Sequence, residues 1–172
     1  MADYLTPATL RDAINGNLEL AEVATPREFV PVSAEGMRMA IDGEDYSARP
    51  APEPARILLA FERIEAAITD ATDLVNNYLR VLYAVPLAVA PSTVKEIMVR
   101  IVRYMLHDER ATTEIIARYR EAMQWLADIR DGKMVLDVGP SDTATPAAPD
   151  FTEGSGLYTV AGLGGFACPY SR

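Results

Sequence analysis

Tyr78–Lys133 reads YLRVLYAVPLAVAPSTVKEIMVRIVRYMLHDERATTEIIARYREAMQWLADIRDGK, and this stretch decides the fold. Apolar residues recur in it at three- and four-residue steps, the spacing of one helix face. Pro86 and Pro91 interrupt that pattern at one place and force the chain out of a helix. Beyond them, Ser92 is expected to cap a helix of about sixteen residues, with Val94, Ile97, Met98, Ile101, Val102 and Met105 as its buried stripe. His107-Asp108-Glu109-Arg110 reads as a polar turn. Thr112 or Thr113 then caps a further helix with Ile115, Ile116, Tyr119, Met123, Leu126 and Ile129 inward, and Gly132 stops it. Trp125, Tyr119 and Tyr104 sit at helical spacing, which places them in a core or a subunit seam before any binding box.

Upstream lies the strongest helix signal, residues 56–83. Ile57, Phe61, Ile64, Ile68, Ala71, Val75, Tyr78 and Leu82 line one face, and Glu62, Glu65, Asp70, Asp73 and Arg80 fall mainly on the other. At the rise of an α-helix this element spans roughly 40 Å. Pro54 precedes it, as a helix start allows.

Residues 1–22 hold one short helix, with Thr6 as cap, Pro7 in the first turn and Leu10 and Ile14 on one face; Asn15-Gly16 ends it. Residues 23–55 read as an irregular acidic linker. Thr25 and Glu28 are spaced for a capping box. Met37, Met39 and Ile41 alternate as in a brief strand or extended arm, and Gly43, Pro50, Pro52 and Pro54 make the rest of the segment a stiff linker. Residues 56–138 form the bundle core, where Met134, Leu136 and Val138 add a short extended piece. Residues 139–172 are rich in Gly and Pro and cannot build a core alone. They carry Phe151, Tyr158, Phe166 and Tyr170, which suit an arm that orders on a partner. The expected fold is all-α: a small helical bundle with one long helix, an extended N-terminal linker and an extended C-terminal arm.

Composition narrows the function. A chain of 172 residues with 24% charged and 49% hydrophobic residues has the balance of one globular domain. Its net charge of −9 disfavours a protein that wraps DNA. Residues 1–55 carry ten acids against four bases, so most of the negative charge is there. The single Cys168 points to a free thiol in a reducing compartment. No basic stretch followed by an apolar one opens the chain, so no signal peptide is expected, and Val81–Pro91 is too short to span a bilayer.

The residues also offer little chemistry. His107, the only histidine, has no positioned partner in sequence and suits a helix C-terminus better than a general base. There is no pair of zinc ligands, no Glu-x-x-His and no phosphate loop. No catalytic, cofactor or metal residue is therefore expected, and a small hydrolase finds no support. The pair 92–107 and 113–131 has the outline of a helix-turn-helix. Its second helix sets Arg118, Arg120 and Arg130 against Glu114, Glu121 and Asp128, an even balance unlike a DNA-reading face.

The order of these pieces resembles the Mu-type phage head–tail adaptors, the head-completion proteins that sit below the portal. The residues that carry the resemblance are Tyr4, Thr6, Pro7 and Leu10 at the start. At the centre they are Tyr78-Leu79, Tyr83, Pro86-Leu87, Pro91, Arg103-Tyr104-Met105-Leu106, Arg110-Ala111, Arg118-Tyr119, Ala122, Trp125-Leu126 and Gly132-Lys133. The central match runs from about Val75 to Leu136. Where the family pattern has an acid and a glycine before Tyr-Leu, this chain has Asn76 and Asn77. The segments 23–55 and 139–172 also look longer than usual.

The resemblance implies a virion neck protein, not an enzyme, assembled in the host cytoplasm. It implies a ring of twelve copies that meets the portal on one side and a neck or tail-completion protein on the other. DNA passes through only as cargo, and an acidic wall suits that passage because it repels phosphate. No membrane is involved. The alternative is a free-standing helical regulatory protein that binds DNA or a host factor.

Overall fold

Thr6, Ser33 and Thr112 each cap a helix in the way their hydroxyls allow, and these caps set the architecture. The computed structural model describes residues 4–14 and 16–138. Among them the helices are α1 (Pro7–Ala13), α2 (Asn17–Ala24), α3 (Ala34–Asp42), α4 (Glu53–Leu79), α5 (Ser92–His107) and α6 (Thr113–Arg130), with a 3-10 turn over Asp108–Arg110. No strand occurs among the described residues, and the all-α class is borne out. None of these helices is long and apolar enough to cross a membrane.

Helices α4, α5 and α6 pack on one another, and α2 and α3 lie against α4. Ile57, Ile64, Leu79, Leu87, Ile97, Met98, Ile101, Leu106 and Leu126 are fully buried between them. Leu10, Leu20 and Met37 from α1, α2 and α3 belong to the same core.

The first helix forms as its sequence dictates. The Thr6 hydroxyl accepts from the Thr9 N–H at 3.2 Å, and the Thr9 hydroxyl in turn accepts from the Thr6 N–H at 2.9 Å. Two otherwise unpaired donors are satisfied together. The helix stops earlier than Asn15-Gly16: Ile14 caps it in an extended conformation, and Gly16, with φ at 83°, stands at the start of α2 instead. The chain restarts at once, however, and α2 buries Leu20, Ala21, Val23 and Ala24.

The extended reading of 37–41 is overturned. Ser33 caps α3, its Oγ accepting from the Gly36 N–H at 3.0 Å, and Gly43 closes the helix at φ 72°. Met37 and Ala40, three residues apart, are buried, whereas Met39 and Ile41 are half-buried. The alternation of apolar residues is incidental to a helical face. Gly36 is the point of closest approach to α4: a Cβ there would lie 2.6 Å from Ile57 Cδ1. The 23–55 segment is therefore no extended linker throughout.

Thr25 caps no following helix either. Its buried hydroxyl donates to the Ala21 carbonyl at 2.6 Å and accepts from the Val32 N–H at 3.2 Å. It thereby ties the end of α2 to the chain entering α3. Past Pro26 the chain makes a turn, closed by the Phe29 N–H on the Pro26 carbonyl at 3.0 Å.

The long helix runs 27 residues and begins earlier than its apolar stripe suggests. Glu53 opens it and accepts from the Ser33 hydroxyl at 2.6 Å while pairing with Arg49 at 3.0 Å. These two partners hold its carboxyl below the usual range. The helix ends at Leu79 and passes into a further turn, in which the N–H groups of Leu82 and Tyr83 both donate to the Leu79 carbonyl. Leu82 lies beyond the helix and is half-buried.

In α5, Ser92 is the first helical residue and makes no side-chain cap. The length of sixteen residues is borne out, and Leu106 replaces Met105 in the buried stripe. In α6 the cap is Thr112, and Ala122 is buried where Ile116, Tyr119 and Met123 are only half-buried. Gly132 stops it at φ 72°.

Candidate functional site

Two tyrosines fasten the first and last described segments to the bundle. The Tyr4 hydroxyl donates to Asn76 Oδ1 at 2.5 Å and accepts from the Leu87 N–H at 2.8 Å. The Tyr83 hydroxyl accepts from the Leu136 N–H at 2.9 Å. Asn76 thus has a role that no sequence pattern revealed. Buried backbone donors need such partners, so these residues hold the loop 80–91 and the segment after α6 in place.

His107 ends α5, its Nδ1 2.8 Å from the Arg103 carbonyl oxygen. Asp108 comes next at φ 49° and ψ −128°, a positive-φ conformation that favours glycine. Arg63, His107 and Arg110 border a polar depression of about 450 Å³ there. Arg110 is committed to structure, donating to the Val23 carbonyl at 3.0 Å.

The aromatics form a half-buried seam. Tyr104 stacks on Tyr119 with ring centroids 4.1 Å apart. Burial, with Tyr104 and Tyr78 nearby, pushes the Tyr119 hydroxyl pKa up. The Arg100 guanidinium lies 4.4 Å over Trp125 and also pairs with Glu96 and Glu121. Arg100 spans α5 and α6 and covers Trp125, a cation–π contact that locks the two helices together.

On the outer side of α5 and α6 lies a half-open groove of about 400 Å³. Leu5, Ala13, Val99 and Ile115 supply its apolar floor, and Lys95, Arg100, Arg103 and Arg118 its cationic rim, where the one carboxylate, Glu96, is paired with Arg100. Arg103 pairs with Glu19 and Arg118 with Glu114. Lys95 is exposed and has no ion-pair partner among the described residues. Thr9 and Lys95 also line a smaller neighbouring depression with Leu87 and Ala90 of the loop 80–91.

Uncovered apolar side chains gather at both ends of α4. At its start, Leu58 and Leu59 are exposed, and Arg56 donates to the Val30 carbonyl at 2.9 Å, which sets exposed Phe29 and Val30 near its first turn. Past its end, Val81, Val89 and Val135 are 55%, 75% and 80% exposed. The most open of these, Val30, Val89 and Val135, add little to the subunit's own core. Of the residues singled out in sequence, Phe151, Tyr158, Phe166 and Tyr170 lie outside the described residues.

Known proteins share this chain's pattern. Gene product J of Escherichia phage Mu is 32% identical over 89 residues, which are 52% of this chain and 63% of that protein. The Mu-like prophage FluMu protein gp36 of Haemophilus influenzae is 26% identical over 80 residues, 46% of this chain and 57% of that protein. The chain thus spans less than two thirds of the length of either relative. A family profile described as bacteriophage Mu, Gp36 matches residues 4–152, from the buried Tyr4 through the whole described fold. With that match covering most of its length, this chain belongs to the bacteriophage Mu Gp36 family.

Proposed function

We propose that the chain is a structural virion protein of a tailed phage. In this reading it is a head–tail adaptor that forms a ring below the portal, extends the DNA channel and docks the next neck or tail protein. The observation that carries it is a set of exposed apolar side chains, Phe29, Val30, Leu58 and Leu59 toward the start of α4 and Val81, Val89 and Val135 beyond its end, in a chain of a bacteriophage family. A ring closed by rotation needs two different surfaces on each subunit, one to meet the next. The exposed side chains around Val30 and those around Val135 are the surfaces proposed for these two roles. The work asked of the subunit is binding and shape, not bond chemistry, so no enzyme activity is proposed. A net charge of −9 suits a channel wall, because such a wall repels passing phosphate. Tyr158, Phe166 and Tyr170, beyond the family match, are the proposed contacts to the portal or neck partner.

Native mass spectrometry of the purified chain, alone and with its portal, tests this. Twelve copies of an 18.8 kDa chain give a species of about 225 kDa. A monomer or dimer that stays so with the portal, and that retards duplex DNA at physiological salt, would replace the adaptor by the regulatory alternative.

A further inference from the structure

The trough across α1, α5 and α6 has an apolar floor and one exposed cation, Lys95, without an ion-pair partner among the described residues. Such a surface takes an apolar side chain flanked by carboxylates. The chain itself carries that arrangement at Asp150-Phe151-Thr152-Glu153, an aromatic between two acids. The family match runs past the described fold and ends at residue 152, so it takes in Phe151 and excludes Tyr158, Phe166 and Tyr170. We propose that the trough is the seat of this same chain's Asp150–Glu153 segment, with Phe151 on the floor of Leu5, Val99 and Ile115 and a carboxylate on Lys95.

Reach permits it. The described chain leaves the fold beside Tyr83, whose hydroxyl holds the Leu136 N–H. Tyr83 belongs to the same loop as Leu87 and Ala90, which line the depression next to the trough, where Thr9 and Lys95 are shared. From Val138 to Phe151 the chain extends at most roughly 45 Å, more than the length of α4. Tethering in one chain also raises the local concentration of the segment far above that of a free peptide. The inference is independent of the adaptor reading.

Zero-length carbodiimide coupling of the full chain, read by tryptic mass spectrometry, tests it. The chain has two lysines, Lys95 and Lys133, and Lys133 is much nearer the segment in sequence. Coupling of Lys95 to Asp150 or Glu153 should exceed that of Lys133 to the same acids by about ten-fold, in monomer-sized protein. Phe151→Ala, which keeps every charge, should lower the Lys95 coupling by about ten-fold. Coupling spread evenly over both lysines, or none at Lys95, overturns the proposal. So does Lys95 coupling that survives Phe151→Ala, because the aromatic would then seat nothing. Lys95 coupling confined to dimer-sized species overturns it too, since the occupant would be a second copy's segment.

Discussion

Thr25 and Gly36 show how much of this fold rests on single atoms. The Thr25 hydroxyl is the buried junction of Ala21 and Val32. Thr25→Val keeps the shape and leaves the Val32 N–H without that partner, so it should cost about 1–3 kcal/mol in urea unfolding, whereas Thr25→Ser should cost much less. Gly36 admits α3 against Ile57. Gly36→Ala gains helix propensity, but its methyl enters space held by Ile57 Cδ1. Overpacking of a filled core outweighs the gain, and a net loss of about 1 kcal/mol is expected. Ile57→Val removes the clashing atom. In a thermal-melt double-mutant cycle the two changes together should be less harmful than their sum. A Gly36→Ala protein as stable as the parent would show that the helices separate at no cost.

At the scale of elements, α3 carries a charge network on its exposed face. Arg38 binds Glu35, Asp42 and Glu44 at 2.8, 2.8 and 2.7 Å, and Arg11 of α1 reaches Asp42 at 2.8 Å. Arg38 holds the carboxyls of Glu35 and Glu44 below their usual range, and Arg11, then Arg38, does so for Asp42. Carboxylates depressed in the folded state add stability above their unfolded pKa and lose it as pH falls through their folded values. The melting temperature should therefore drop on acidification from neutral pH through and below the ordinary carboxylate range. Arg38→Met should flatten that drop, and the gap between the two proteins should close in acid. Parallel curves would mean that the network is a solvated face without influence on stability. The short helices are also where the sequence pattern misleads. α4, α5 and α6 are long enough for their 3.6-residue pattern to override local noise, and that pattern places α5 and α6 closely. α2 and α3 have eight and nine residues, and their stability comes from the bundle they cover. In α3 the three apolar residues Met37, Met39 and Ile41 mimic a strand.

For the whole molecule, the legible part is the core and the hidden part is the surface that the core leaves bare. Whether Leu59 or Val135 is covered depends on where α1, α2, α3 and the chain after α6 lie, and the sequence pattern does not place those segments. The adaptor reading predicts that Leu59→Asp and Val135→Asp each reduce the large species in native mass spectrometry while leaving the monomer's melting temperature within about 2 °C, since surface changes rarely exceed about 0.5 kcal/mol. A variant that melts markedly earlier would put that side chain in the subunit's own core. Equal assembly by both variants would remove the patches from any interface.

The clasp at Tyr4 has a bearing on how this chain can be recombined with its relatives. Its hydroxyl joins the N-terminal segment to Asn76 and Leu87, positions more than seventy residues away. A crossover anywhere between α1 and the end of α4 separates the two halves of that clasp, so a chimera keeps it only if both parents supply a hydroxyl at position 4 and an acceptor at 76. An aspartate at 76 would accept as asparagine does. Grafts should therefore exchange the first fourteen residues together with the last turn of α4 and the loop that follows it to Leu87, as one inheritable unit.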